Sequence, residues 1–442
     1  MYINAQIIEL NDSEIRVAKD SMIILRSPGF AVVNKNSLDV GEAALHRAYL
    51  NPLETCNRYW HKLNLDALPV STTHYRHHAD LVHAHMLKLH ELAGQPEEVI
   101  FAVPGSYSEE QLSMLLGIAA ACPFTAVGLI DTAVATTAAV AGAGEYQHID
   151  MHLHQSVITR LAVSDSVTRT GVETIDEIGL NKIHSVMASL IADLFIQQSR
   201  FDPLHHAESE QALYDQLPAC LKTLSDRKEV MLEIAYRNAT HHAKLTRDAL
   251  LQKLQPVYSR LAEHISPSLP CIIGDRMAGL PGFTETLPEV HISGQETIFE
   301  VCRKFEGYIR SNGPELRFIT SLPMENTGKV TGRPAPAGEI SSGRNATHVL
   351  YRQTAYPIGK NTIYLSRAGK VTEHKPDDLL CSITAKNGAV LLAADPEGRV
   401  LVNGKAVTDP MELHAGDRID SSTGDAYYNF IEVVTSHGAQ QA

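Results

Sequence analysis

Apolar and polar positions in the first third of the chain fall into a repeating order of strand and helix. A continuous apolar run, Val99 to Val103, stops at Pro104-Gly105 and predicts a buried strand. Ser108 to Gln111 follows with capping-box spacing, in which the serine side chain accepts from the backbone three residues on and the glutamine reaches back. Leu112, Leu115, Leu116, Ile118 and Ala119 then fall at helical spacing. A second short strand is predicted around Val127 to Ile130, and a small-residue helix from Ala133 to Ala141. Strand, capped helix, strand, helix describes a parallel α/β unit.

The same reading extends to both sides. Residues 3–10 and 14–18 predict a strand pair around the turn signal Asn11-Asp12, and Ile23–Leu25 and Ala31–Val33 are expected to continue that sheet around Pro28-Gly29. Gly142 to Tyr146 reads as a small-residue turn, and Ile149 to Val163 as the start of a hairpin. Residues 180–200 and 206–224 predict long amphipathic helices, Arg227–Tyr236 a strand, and residues 248–265 a further helix with Leu250, Leu254, Val257 and Leu261 on one face. Residues 325–345 are rich in Gly, Pro, Ser and charge and read as a linker. Beyond them, short strands between turn signals predict an all-β sandwich. The expected organisation is an α/β domain over residues 1–320, a linker over 321–345 and a β-sandwich over 346–436.

Composition narrows the class. Of the 442 residues 44% are hydrophobic, enough for sizeable cores, and the net charge of -13 argues against non-specific nucleic-acid binding. No apolar run reaches the ~20 residues of a membrane helix, and the N-terminus, with polar and acidic residues among its apolar ones, predicts neither signal peptide nor anchor. Six scattered cysteines without a CxxC pair predict buried free thiols in a reducing cytoplasm. The segment from His74 to His90 carries six histidines on an amphipathic helix. With no HExxH and no cysteine partner it reads as a His-rich polar face and not as a metal site. Lys62 reads as a solvent-facing helical lysine.

The wording of VPGSYSEEQ and IAAACPFTAVGLIDTAVATTAAV resembles the DnaK-type heat-shock chaperones of the actin-like ATPase superfamily, over roughly residues 1 to 310. The resemblance implies a two-lobed, ribonuclease H-like α/β domain with a nucleotide cleft. Gly41-Glu42-Ala43-Ala44 matches the family's turn-to-helix step. In the family's first phosphate turn, however, Asn11 stands at the glycine and Asp12 replaces a hydroxyl, followed by Ser13. The family's DLGGGTFD falls on Asp150 to Val157, where Asp150 is kept, all three glycines carry side chains and the last aspartate is Val157. The family glutamate of the INEPTAAA motif is Thr132, and LGGEDFD falls on Ile178 to His184 with Gly179 retained. Pro270 to Gly282 resembles the adenosine-contacting strand and turn, with Gly274, Asp275 and Arg276 at its centre; a turn kept for the fold alone fits these residues equally. Asp12, Ser13, Asp150, Gly274, Asp275 and Arg276 therefore mark the expected vestige of a cofactor cleft, with no catalytic and no metal-binding residue assigned.

In the last hundred residues, Ile358-Gly359-Lys360, Val402-Asn403-Gly404-Lys405 and residues 413–419 resemble the skeleton of a forkhead-associated domain, a phosphothreonine-reading sandwich. That family places an arginine where this chain has Lys360, and Ser-Arg-x-His where it has Leu379-Leu380-Cys381-Ser382. Phosphate recognition wants guanidinium forks and hydroxyls. Ordinary protein contact is thus the expected role, with Lys360, Ser382 and Asn403 as its candidate residues. Together the two resemblances imply a non-enzymatic, chaperone-like pseudo-ATPase that binds protein partners and needs no cofactor. The alternative is an active ATPase using ATP and magnesium through Asp12, Asp131 and Asp150.

Overall fold

A computed structural model describes residues 5–35, 37–70, 72–311, 316–324, 346–351, 354–358, 362–367, 370–372, 374–376, 378–386, 389–395, 400–402, 405–407, 410–414, 417–421 and 427–431. The chain divides into two compact units, Met1–Gly328 and Lys329–Ala442.

The first unit opens with β1 (Gln6–Glu9), β2 (Ile15–Lys19) and β3 (Met22–Ser27). Next come β4 (Ala31–Val33), β5 (Leu38–Val40), α1 (Glu42–Leu45), β6 (Thr55–Cys56), α2 (Tyr59–Lys62) and α3 (His78–Leu92). The organising α/β stretch supplies β7 (Glu98–Val103), α4 (Glu109–Ala120), β8 (Thr125–Asp131) and α5 (Thr132–Val140). The second half holds β9 (Gly144–Met151), β10 (Gln155–Val163), β11 (Ser166–Asp176), α6 (Leu180–Ser199), α7 (Ala207–Asp226), β12 (Glu229–Tyr236), β13 (Ala239–Thr246), α8 (Arg247–Ala262), β14 (Cys271–Ile273), α9 (Asp275–Ala278) and β15 (Val290–Ile292). Two short strands, β16 (Phe318–Ile319) and β17 (Ser321–Pro323), return to the sheets.

Two six-stranded sheets carry this unit, in the orders β16-β8-β7-β1-β2-β3 and β15-β14-β9-β10-β11-β17. In each, an antiparallel meander (β1–β3, then β9–β11) is joined by its first strand to later strands running parallel to it. The tight turns allow antiparallel neighbours, whereas the parallel ones need long crossovers, supplied by helices such as α3 and α4. The Ser108 capping box at the start of α4 is formed, with the Gln111 N–H donating to Ser108 Oγ and the Ser108 N–H donating to Gln111 Oε1.

Packing follows from this order. Apolar residues of α3 and α4 cover one face of the first sheet, and those of α6, α7 and α8 cover the second. Between the two sheets lies α5, whose Ala133, Val134 and Ala135 pack with Ile7 and Ile100 on one side and Leu161 and Val167 on the other. Small side chains let the sheets approach, and each fully buried aliphatic residue contributes about 1.5–3 kcal/mol. Two expectations are corrected. Ala31–Val33 does not continue the first sheet: it pairs with β5 and β6 in a separate three-stranded sheet, because the chain folds back at Pro28-Gly29. Residues 144–146, expected in a turn, already pair with β10 in β9.

In the second unit, one sheet runs Thr354–Pro357, His348–Tyr351, Tyr427–Ile431, Arg418–Ser421, Val400–Val402 and Lys405–Ala406; the other runs Val371–Thr372, Ile363–Ser366, Leu379–Lys386, Ala389–Ala394 and Met411–Leu413. Pairing is antiparallel throughout. Residues from both sheets, among them Val349, Leu365, Ile383, Leu392, Ile419 and Phe430, share one core. The Tyr428 hydroxyl ties the sheets by donating to Ser366 O at 2.7 Å. The linker expected over 321–345 is corrected at its start, since Ser321–Pro323 pairs with β11 as β17, and residues 325–345 lie outside the described residues.

Candidate functional site

The β1–β2 and β9–β10 turns, 140 residues apart in the chain, meet face to face. Asn11 shapes the first: its Oδ1 accepts from the Ser13 N–H at 3.0 Å and from Ser13 Oγ at 2.7 Å, the usual local closure of an Asx turn. The Asn11 amide then donates across to Asp150 Oδ2 at 3.0 Å and to Met151 O at 3.2 Å. In return, the Leu153 N–H of the second turn donates to Asp12 Oδ1 at 2.7 Å. His152 sits between the carboxylates, with Nδ1 3.5 Å from Asp12 Oδ1 and Nε2 3.4 Å from Asp150 Oδ2. Asp12 is 5% exposed and His152 4%, so water does not screen the group.

That geometry decides the charge state. Burial opposes the imidazolium, but Asp12 and Asp150 outweigh it and push His152 up to about 9. Burial likewise works against the two carboxylates, and His152 brings both below the ordinary aspartate range. His61 and His154, nearby, are instead held more neutral by burial. His154 Nε2 lies 2.9 Å from Asn57 O.

A second set of contacts runs beside the first. Arg16, on β2, donates through both terminal nitrogens to the two carboxylate oxygens of Asp275 at 2.8 Å, a bidentate fork. Arg276 donates to the buried Glu9 of β1 and, at 3.2 Å, to Glu14 O. Asp275 and Arg276 open α9, so the strand-to-helix turn after β14 is bound to the first sheet by two ion pairs. Gly274 precedes them with an ordinary φ of -83° and only Ser293 Oγ, 4.0 Å away, near its missing side chain. Nothing at Gly274 itself requires a glycine. Gly179 is different: a Cβ there would lie 2.6 Å from Leu153 O and 2.7 Å from both Gln155 N and His152 O. The backbone of the second turn presses directly on it.

These residues do not fit a magnesium-bound triphosphate. The backbone amide at Leu153 is already taken by an anion of the chain itself, Asp12. Asp150 is engaged by Asn11 and His152. Ser13 Oγ is turned onto Asn11. Asp131, buried at the start of α5, accepts from the N–H groups of Ala133 and Val134 and pairs with Arg169 at 2.7 Å.

Elsewhere the histidine-rich helix needs correction. His78 and His85 are buried, so the polar face excludes them. His85 accepts the Trp60 indole N–H at Nδ1 (3.0 Å), which leaves Nε2 to donate to Ser27 Oγ at 2.8 Å. Burial pushes His85 down to about 3. This Ser27–His85 pair has the wrong polarity to activate a nucleophile, since the imidazole donates to the serine oxygen. Among the described residues no group of three or more His, Cys, Asp or Glu is placed to hold a metal ion. Lys62 is exposed at the end of α2, as expected of a surface lysine. The cysteines are free thiols, five buried and Cys56 half-buried, and burial pushes Cys122, Cys220 and Cys271 up to about 11.

Of the expected partner-binding residues, Ser382 lies half-buried in the strand Leu379–Lys386, while Lys360 and Asn403 fall outside the described residues. The sequence reading did not find Glu9, Arg16 or the pairing role of His152. An arginine between Ile15 and Val17 in a buried strand was the available signal. No family model matches the chain, and no curated protein does.

Proposed function

We propose that this chain is a non-enzymatic, chaperone-like scaffold: an actin-like, ribonuclease H-like core that has given up nucleotide chemistry, joined to a forkhead-associated-like module, and acting by holding protein partners. The observation that carries this reading is the contact between the two turns, where Asp12 accepts the Leu153 amide and His152 fills the space between Asp12 and Asp150. A phosphate cradle needs exposed backbone amides and small residues. Here side chains of the chain take both. The repeated strand order of the two sheets supports the actin-like assignment, and the two antiparallel sheets sharing one core support the sandwich module. Its partners are proteins; no nucleic acid and no cofactor is required by any feature named above. The described residues contain no helix long and apolar enough to cross a membrane, and six thiols outside any disulfide suit a reducing cytoplasm.

Isothermal titration of the full chain with ATP and magnesium tests this directly. The expected outcome is no detectable heat and no phosphate release. Micromolar binding accompanied by turnover overturns the proposal and favours an ATPase of altered geometry.

A further inference from the structure

The two halves of the first unit also touch through residues 42–49, whose Ala44 and Ala48 pack with Leu153 of the second turn. Residues 42–49 reach from the three-stranded sheet to α7. Tyr49 stacks on Tyr214 with ring centroids 3.6 Å apart and planes 15° from parallel. The Tyr49 N–H donates to Gln211 Oε1 at 2.9 Å, and Gln211 Nε2 donates to Leu45 O at 3.0 Å and to Asp215 Oδ1 at 2.9 Å. At the outer edge His46 stands between two carboxylates, with Nδ1 2.9 Å from Asp215 Oδ1 and Nε2 3.3 Å from Glu42 Oε1. Its side chain is 54% exposed, so protons reach it freely.

We propose that residues 42–49 and α7 form a proton-operated latch across the two halves of the first unit, with His46 as the group that gains and loses the proton. The chemistry follows from the imidazole. Protonated, it carries a hydrogen on each nitrogen and serves Asp215 and Glu42 together. Neutral, it carries one, so one carboxylate faces a lone pair and the pairing across the gap weakens. The groups around it are Glu42 on its own helix, and Gln211 and Asp215 on α7. Glu210 lies beside the tyrosine pair, and Ser185 of α6 reaches Tyr214. Asp215, opposed by partial burial and helped by Glu42, shifts His46 toward the charged form. Because folding raises its affinity for the proton, the latch is fully engaged below the ordinary histidine range. It loosens as pH rises through the shifted value. The stack and the Gln211 bonds do not titrate, so the contact slackens and does not vanish.

Hydrogen exchange of the full chain, followed by mass spectrometry over segments 42–51 and 207–217 and corrected for intrinsic rates, reads the latch. The Tyr49 amide is the reporter. Protection is expected to fall by up to about fivefold between pH ~5.5 and ~8.5, the range of an exposed ion pair. In His46→Gln and in Asp215→Asn the protection is expected to be independent of pH, with unchanged circular dichroism. Flat protection in the wild type, or a pH dependence that survives in His46→Gln, overturns the proposal. Neither result depends on whether ATP binds, so the latch and the pseudo-ATPase reading fail separately.

Discussion

His152 and Asp12 belong to turns of different sheets, yet His152 Nδ1 stands 3.5 Å from Asp12 Oδ1 in a setting that excludes solvent. A lone buried charge at either position would be strongly unfavourable. Each is tolerated because the other is present, with Asp150 on the far side of the ring, the Asn11 amide donating to Asp150 Oδ2 and the Leu153 N–H to Asp12 Oδ1. The two halves of the first unit are thus joined by a group that functions only when both sheets are in place.

The pH dependence of stability follows with opposite signs from different histidines. His152 is raised from the ordinary 6.5 to about 9, so its contribution is fully present below pH 6.5 and is lost as pH rises through about 9. His85 and His148 are depressed by burial to about 3 and about 4, so their neutral burial costs stability as pH falls below 6.5. Calorimetry of the full chain should give its highest unfolding temperature for the first unit near pH 6.5. His152→Gln should lower stability at neutral pH by about 3–5 kcal/mol, since it leaves two carboxylates without their cation. That deficit should shrink above pH 9. A deficit that does not change with pH would show that the imidazole was not charged.

Glu9 and Arg276 offer a cleaner test of what the inter-sheet ion pairs contribute. Both side chains are largely buried, at 2% and 17% exposure. Glu9→Leu alone, or Arg276→Leu alone, should cost about 3–5 kcal/mol, because the remaining charge then lies buried without its partner. Replacing both, as Glu9→Leu with Arg276→Leu, should recover most of the loss. Denaturant titration of the two single variants and the double variant closes the cycle. Additive losses would mean that the residues do not act as a pair.

Gly179→Ala isolates the packing of the second turn. The φ at this position is -135°, open to any residue, so the penalty is steric alone. Three backbone atoms lie within 2.7 Å of the added methyl, and backbone yields less than a side-chain tip. A loss of about 1–3 kcal/mol is expected, with the spectroscopic signature of the His152 pair displaced. An unchanged melting temperature would show that the turn moves aside freely.

Much of the local architecture was legible in the chain itself. The run Val99–Val103, the Ser108–Gln111 box and the periodicity of residues 180–200 and 248–265 predicted β7, the start of α4, and helices α6 and α8 to within a few residues. These signals are local: a cap or an amphipathic face is satisfied by neighbours in sequence, and so it is written there. The large side chains of His152, Leu153 and His154 after Asp150 were equally visible. Two misreadings share one cause. Ala31–Val33 has strand character but nothing in it names its partner, and His85 looks polar until Trp60, Tyr59 and Ser27 close around it.

What the amino-acid order determined alone was which segments form strands and helices, where they begin, and that Asp12, His152, Leu153 and His154 bring acidic or bulky side chains to two turns. Only the tertiary structure decided that Asp12 meets His152, Arg16 meets Asp275 and Glu9 meets Arg276. Those pairs are separated by 140 residues or more, and each charge, once the sheets exclude water, is tolerated only because the fold brings its partner against it. Hydrophobic periodicity carries no information about which buried charge will face which, because that choice is made by the packing of complete sheets.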